Sequence, residues 1–186
     1  MMKQNIIIIT ILGSIIAIIG RILPHLPNAT PLMSLSLLAG VFLTRPKAIL
    51  ATLITLIISD AFLAYLYLYP LLGSWTIFTY SGFLLVVLMG SYLSFSTPLL
   101  GYLFTISMLS IAYWMWTNFG VWLLSGMYSH SISGFLTCYT VALPFLRNAL
   151  LGDLIWMVTL YLLMRLALHD NLIKCDPRLM VVSKAN

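Results

Sequence analysis

NFGVWLLSGMYSHSISGFLTCYTVALPFLRNALLGD, Asn118 to Asp153, is where the chain stops being plain apolar helix. Aromatic anchors, glycine breaks, His130, Cys138 and Pro144 interrupt it. Arg147, Asn148 and Asp153 then enter a run that is otherwise apolar again. Charge set inside an apolar helix points to a membrane span with a polar task, because a carboxylate at mid-bilayer costs about 2.5–3.5 kcal/mol unless it is paired or hydrated. Composition says the same of the whole chain. Of 186 residues 62% are hydrophobic and 7% charged, against about 25% charged in soluble domains. A chain this short could not hide so much apolar surface from water. The net charge of +5 does not indicate a nucleic-acid partner, since the cations mark loop ends rather than one face.

Working outward, a span needs about 20 mostly apolar residues. The sequence predicts six spans at about 4–23, 31–44, 48–69, 75–93, 99–116 and 144–168, with a tail over 169–186. The first is read as a retained span rather than a cleaved leader, for no small-residue cleavage site follows it. Pro24, Pro27 and Pro31 shape the next loop, since proline cannot donate to a helix. The second span is short. It must start inside the membrane under a folded-in loop, and irregular backbone at that depth needs protein or a water-filled cavity over it. The third span ends in an aromatic belt of Tyr65, Tyr67 and Tyr69. The stretch Ser131 to Leu143 is left open between a short helix and an extended lid.

Six spans put both termini on one side. Lys3, Arg45, Lys47, Arg165, Lys174, Arg178 and Lys184 fall on that side, and Arg21 and Arg147 on the other. The positive-inside rule makes the first side cytoplasmic. The expected fold is therefore an all-α integral membrane bundle of six transmembrane helices with both termini cytoplasmic. Cys138 and Cys175 then lie on opposite sides and do not pair. No spacing suited to a metal ion occurs, and no cofactor is expected.

Arg21, Asp60, Arg147 and Asp153 share one leaflet in a chain otherwise almost free of charge. Arg147 and Asp153 are about 120° apart around their helix, so each needs a partner elsewhere, with Arg21 and Asp60 as candidates. The bland account is structural ion pairing; the sharper one puts at least one of them on a solute cavity. His25, Asn28 and His130 fall in outer loops, where a lone histidine is commonly just solvated. Asn118, Trp122, Tyr128 and Tyr139 offer stacking and amide bonds for a planar ligand, or an interfacial aromatic belt. Asn148 shares a face with Gly152. Gly13, Ala17 and Gly20 form a small-residue stripe that lets another helix approach.

RILPHLPNATPLMSLSLLAG (Arg21 to Gly40), the ISD of Ile58 to Asp60, and TNFGVWLLSGMYSHSISGFLTCYTVALPFLRNALLGD (Thr117 to Asp153) resemble a family of small, uncharacterised bacterial membrane proteins. That family is similar to the substrate-binding S components of energy-coupling factor (ECF) vitamin transporters. The resemblance implies an S-component-like fold and an extracellular pocket closed by outer loops. It also implies a transmembrane coupling subunit with ATPases, docked through small residues on the first helix, where Gly13 and Ala17 stand.

The expected function is non-enzymatic: binding and uptake of a vitamin-like or other small organic solute across the bacterial cytoplasmic (inner) membrane. The wall candidates are Arg21, His25, Asn28, Asp60, Asn118, Trp122, Tyr128, His130, Tyr139, Arg147, Asn148 and Asp153. The arginines would hold anionic groups, the rings would stack, and the amides would direct hydrogen bonds. The chain has no Walker motif, so ATP hydrolysis would belong to another subunit. Two other classes compete. One is a membrane enzyme on a lipid-linked substrate with His130 or Asp153 as acid/base. The other is an assembly subunit whose buried charges fix packing.

Overall fold

Prolines and left-handed residues punctuate the chain into helices. The computed structural model describes residues 2–22, 28–68, 70–73 and 75–172, with side chains over 11–166 of that set. It is all-helical: α1 (Met2–Ile22), α2 (Leu32–Phe42), α3 (Arg45–Tyr67), α4 (Thr76–Gly90), α5 (Leu99–Leu124) and α6 (Ile132–Leu172), with no strand among the described residues. His25, Tyr69 and the tail beyond 172 lie outside them.

Local chemistry explains the boundaries. Thr44 is extended ahead of α3 and Pro46 occupies its first turn, where a missing N–H costs nothing. Leu68, at φ 54, ends that helix. Pro98 is extended before α5. The Ser131 hydroxyl accepts from the Gly134 N–H at 3.1 Å and caps α6.

Two expected boundaries move. α5 passes Trp116 and runs on to Leu124, because the polar residues there turn back onto their own helix. Thr117 donates to the Tyr113 carbonyl at 2.9 Å and Asn118 to that of Trp114 at 2.8 Å. α6 begins at Ile132 rather than at Pro144, which lies inside it. Thr137 and Thr140 bond the carbonyls of Ser133 and Leu136, and the Trp114 indole donates into the proline turn at the Ala142 carbonyl, 3.0 Å away. Apolar helices tolerate proline when neighbours supply such bonds. The stretch from Ser131 is thus helix, not lid.

Among the residues whose side chains are described, three helices, Arg45–Tyr67, Leu99–Leu124 and Ile132–Leu166, are long and apolar enough to cross a membrane; Ile11–Ile22, the described part of α1, and α2 and α4 are shorter apolar stretches. The surface suits that solvent. Large apolar side chains such as Leu50, Ile77, Leu100, Phe104 and Ile155 are exposed, while Ser34, Thr52, Thr55, Ser59, Ser110 and Asp153 are buried.

α2 is the central post, touching all five other helices, and none of its 11 residues is exposed. It meets α4 backbone to backbone. A Cβ added at Gly40 would lie 2.2 Å from the Val87 carbonyl oxygen, and one at Gly90 2.2 Å from that of Leu37. Only glycine permits that approach. The α1 stripe faces α2 as well. Gly13 lies against Leu35, Gly20 against Pro31, and Ala17 is fully buried in the core. Gly13 and Ala17, the residues expected to dock a partner subunit, lie on the buried face of α1.

Arg45 and Arg165 mark one end of the bundle. Arg45 bonds Ser91 and lies over the Tyr92 ring; Arg165 bonds Tyr161 and lies over Phe95. We call this the basic end. The opposite end carries the α5–α6 hairpin.

Candidate functional site

In the half of the bundle away from the basic end, two polar nodes form where helices converge. At the first, Arg21 on α1 reaches α3. Its Nη2 pairs with Asp60 Oδ1 at 2.7 Å and its Nη1 donates to Ser59 Oγ at 2.5 Å. The other Asp60 oxygen accepts from the Tyr80 hydroxyl of α4 at 2.8 Å. Arginine's planar fork suits such a two-point grip, and the node ties three helices together.

At the second node, Asp153 of α6 is 4% exposed. Its Oδ2 accepts a short hydrogen bond from Ser110 of α5, and its backbone carbonyl accepts from Ser34 of α2 at 3.1 Å. Among the described residues the Arg21–Asp60 contact is the one ion pair. Arg147, for which Asp60 was a candidate partner, is exposed on α6, and Asp60 pairs with Arg21 instead.

Between the nodes opens a cavity of ≈ 440 Å³, within the range of small-molecule sites. All six helices contribute to its walls. Leu32 and Met33, at the start of α2, belong to the lining, as does the loop before it through Asn28 and Thr30. Asn28 sits at φ 67, a left-handed conformation that asparagine accepts better than most residues. Gly152 seats this loop beside Asp153, since a Cβ there would lie 2.6 Å from the Ala29 Cα. Thr79, Thr117 and Asn118 add polar points; Trp75, Phe78, Phe83, Tyr113, Trp114 and Phe145 make the walls largely aromatic.

Of the residues singled out from sequence, Arg21, Asn28, Asn118 and Asp153 line this cavity, and Asp60 stands behind Arg21. Trp122, Tyr128, His130, Tyr139, Arg147 and Asn148 do not line it. Four of them belong to the hairpin, which holds itself together. The Trp122 indole donates to the Ser129 carbonyl at 3.1 Å, and its ring lies 5.5 Å from His130 and 5.4 Å from Phe135. Tyr139 donates to the Met115 carbonyl at 2.8 Å and stands edge-on to Trp114. Tyr139 thus backs a wall residue without reaching the space. Cys138 is buried in the α5–α6 seam, its thiol toward the Asn118 carbonyl at 3.6 Å. Sequence reasoning missed Ser110, Tyr113, Trp114 and Thr79. Little in the sequence marked Ser110 out, since Thr105 and Ser107 precede it on α5; Tyr113, Thr117 and Val121 follow one helical face from it. No group of three or more His, Cys, Asp or Glu gathers among the described residues.

Residues 2–175 match a family of unknown function, DUF6580. The chain belongs to DUF6580. The match spans all six helices and every residue of the cavity. No curated protein and no solved structure matches this DUF6580 chain.

Proposed function

We propose that this DUF6580 chain is a multi-pass protein of the bacterial cytoplasmic membrane that binds a small organic solute from the outer face for uptake. One observation carries the reading: a cavity to which all six helices contribute, holding a buried carboxylate and several directional polar groups inside an apolar shell. Intramembrane ionisable residues facing a cavity mark solute pathways more often than passive packing. All six helices are taken as membrane-embedded with both termini cytoplasmic, on the support of Arg45, Lys47 and Arg165 near one end of the chain's turns. The cavity then opens in the outer half. The sequence resemblance to S components of ECF transporters supports a carrier that hands its solute on with the help of a separate coupling subunit and ATPases.

The packing alternative rests on the Arg21–Asp60–Tyr80 node, which crosslinks α1, α3 and α4 whether or not a solute binds. Mass spectrometry of the detergent-purified chain separates the two. Solute binding expects a small molecule that copurifies with the native chain and is lost from an Ala149→Trp variant, in which the indole fills the cavity. Recovery of a well-folded chain with no bound molecule, and unchanged uptake by cells carrying Ala149→Trp, would rule the solute reading out.

A further inference from the structure

The two carboxylates at the cavity are partnered differently. Arg21 is its one cationic lining residue among those described, and Arg21 is paired with Asp60 behind it. Its two terminal nitrogens go to Asp60 and Ser59. Its charge is cancelled by Asp60, whose second oxygen is taken by Tyr80. Asp153, 4% exposed, has the Ser110 hydroxyl as its side-chain partner and no ion pair among the described residues. Arg147, six residues earlier on α6, is exposed and outside the walls. Asn28, Thr30, Thr79, Thr117 and Asn118 are neutral. Among the described lining residues and Asp60 behind them, Asp153 is therefore the one carboxylate without a cation paired to it, and aromatic rings line the same cavity.

Such surroundings select a partner by charge. A carboxylate withdrawn from water is protonated or else paired with a cation, and the rings of Trp75, Trp114 and Tyr113 in the same lining attract a cation through their quadrupoles. An anionic solute would meet Asp153 and an arginine whose charge Asp60 already offsets. We propose that the solute is a small organic monocation, held with Asp153 as counter-ion and its body against the aromatic walls. The proposal rests on reading the cavity as a solute site and names the solute's class.

Three molecules of one shape and different charge test it: 1-methylnicotinamide (cation), nicotinamide (neutral) and nicotinate (anion). They are titrated into the full chain in detergent, following tryptophan fluorescence and thermal stability. The cation is expected to bind about tenfold tighter than the neutral amide, with no binding of the anion. Asp153→Asn should bring the cation down to the level of nicotinamide. Ala149→Lys, which sets an ammonium four residues from Asp153 on the same face, should abolish cation binding while the protein stays folded; it serves if Asp153→Asn does not fold. Equal or tighter binding of nicotinamide or nicotinate overturns the proposal and leaves the solute reading standing. So does copurification of a neutral or anionic molecule, or a sodium chloride effect equal to that of the organic cation. No binding by any of the three, with no copurifying molecule, removes both.

Discussion

Asp60 and Asp153 are both carboxylates within apolar helices, yet the structure treats them differently. Asp60 is held by Arg21 and Tyr80, with side-chain exposure of 18% for Arg21 and 15% for Asp60. Removing one partner leaves the other charged and partly buried without its counter-ion, with only a hydroxyl beside it. Arg21→Ala is expected to destabilise the chain by about 3 kcal/mol, and Arg21→Leu combined with Asp60→Leu by clearly less. Unfolding in mixed micelles gives both values; equal losses would mean the pair is not coupled. The two acids and Arg21 were legible from sequence because charge is so rare here. Their pairing was not, since Arg147 was an equal candidate until the fold turned it outward. Ser110 and Trp114 were illegible for the opposite reason: a serine or tryptophan in an apolar run is ordinary, and only the facing Asp153 and Ala142 carbonyl give them their roles.

Among the elements, α2 and α4 depend on contact without side chains between them. A substituent at Gly90 would strike the Leu37 carbonyl, which belongs to a helix and cannot rotate away. Gly90→Leu is expected to cost about 3 kcal/mol. At Gly101 the nearest atom is a Thr97 methyl, which can move, so Gly101→Ala should cost about 1 kcal/mol or less. Thermal unfolding of the two variants decides it: a similar loss at both positions would show that the α2–α4 approach is not what holds the centre. Helix starts at Pro46 and Pro98 were legible, as proline favours a first turn. The same rule misplaced the start of α6. Pro144 resembles a beginning, but the Ser131 cap and the Trp114 indole bond make it an interior residue.

For the whole molecule, the wide exposure of large apolar side chains is the governing fact, around a core that is itself mostly apolar and also buries a few serines, threonines and Asp153. Composition alone announced that solvent. What it could not give was that α2 and α4, at 11 and 15 residues, fall short of a span's length. The proposed orientation makes the hairpin end extracellular. A cysteine introduced at Ser129 should react with an impermeant maleimide on intact cells, and one at Lys47 only after permeabilisation; the reverse pattern would turn the bundle over. Buried Cys138 should stay silent in both. The shortness of α2 has a last consequence. At 11 residues it covers roughly 16 Å, and it is enclosed by the other helices. A thicker or thinner bilayer can pull on the long helices α3, α5 and α6, which must match it by tilting. It has no direct grip on α2. The cavity residues Leu32 and Met33 are therefore carried by a helix that mismatch reaches only through its neighbours, while the walls on α3, α5 and α6 would shift as those helices tilt.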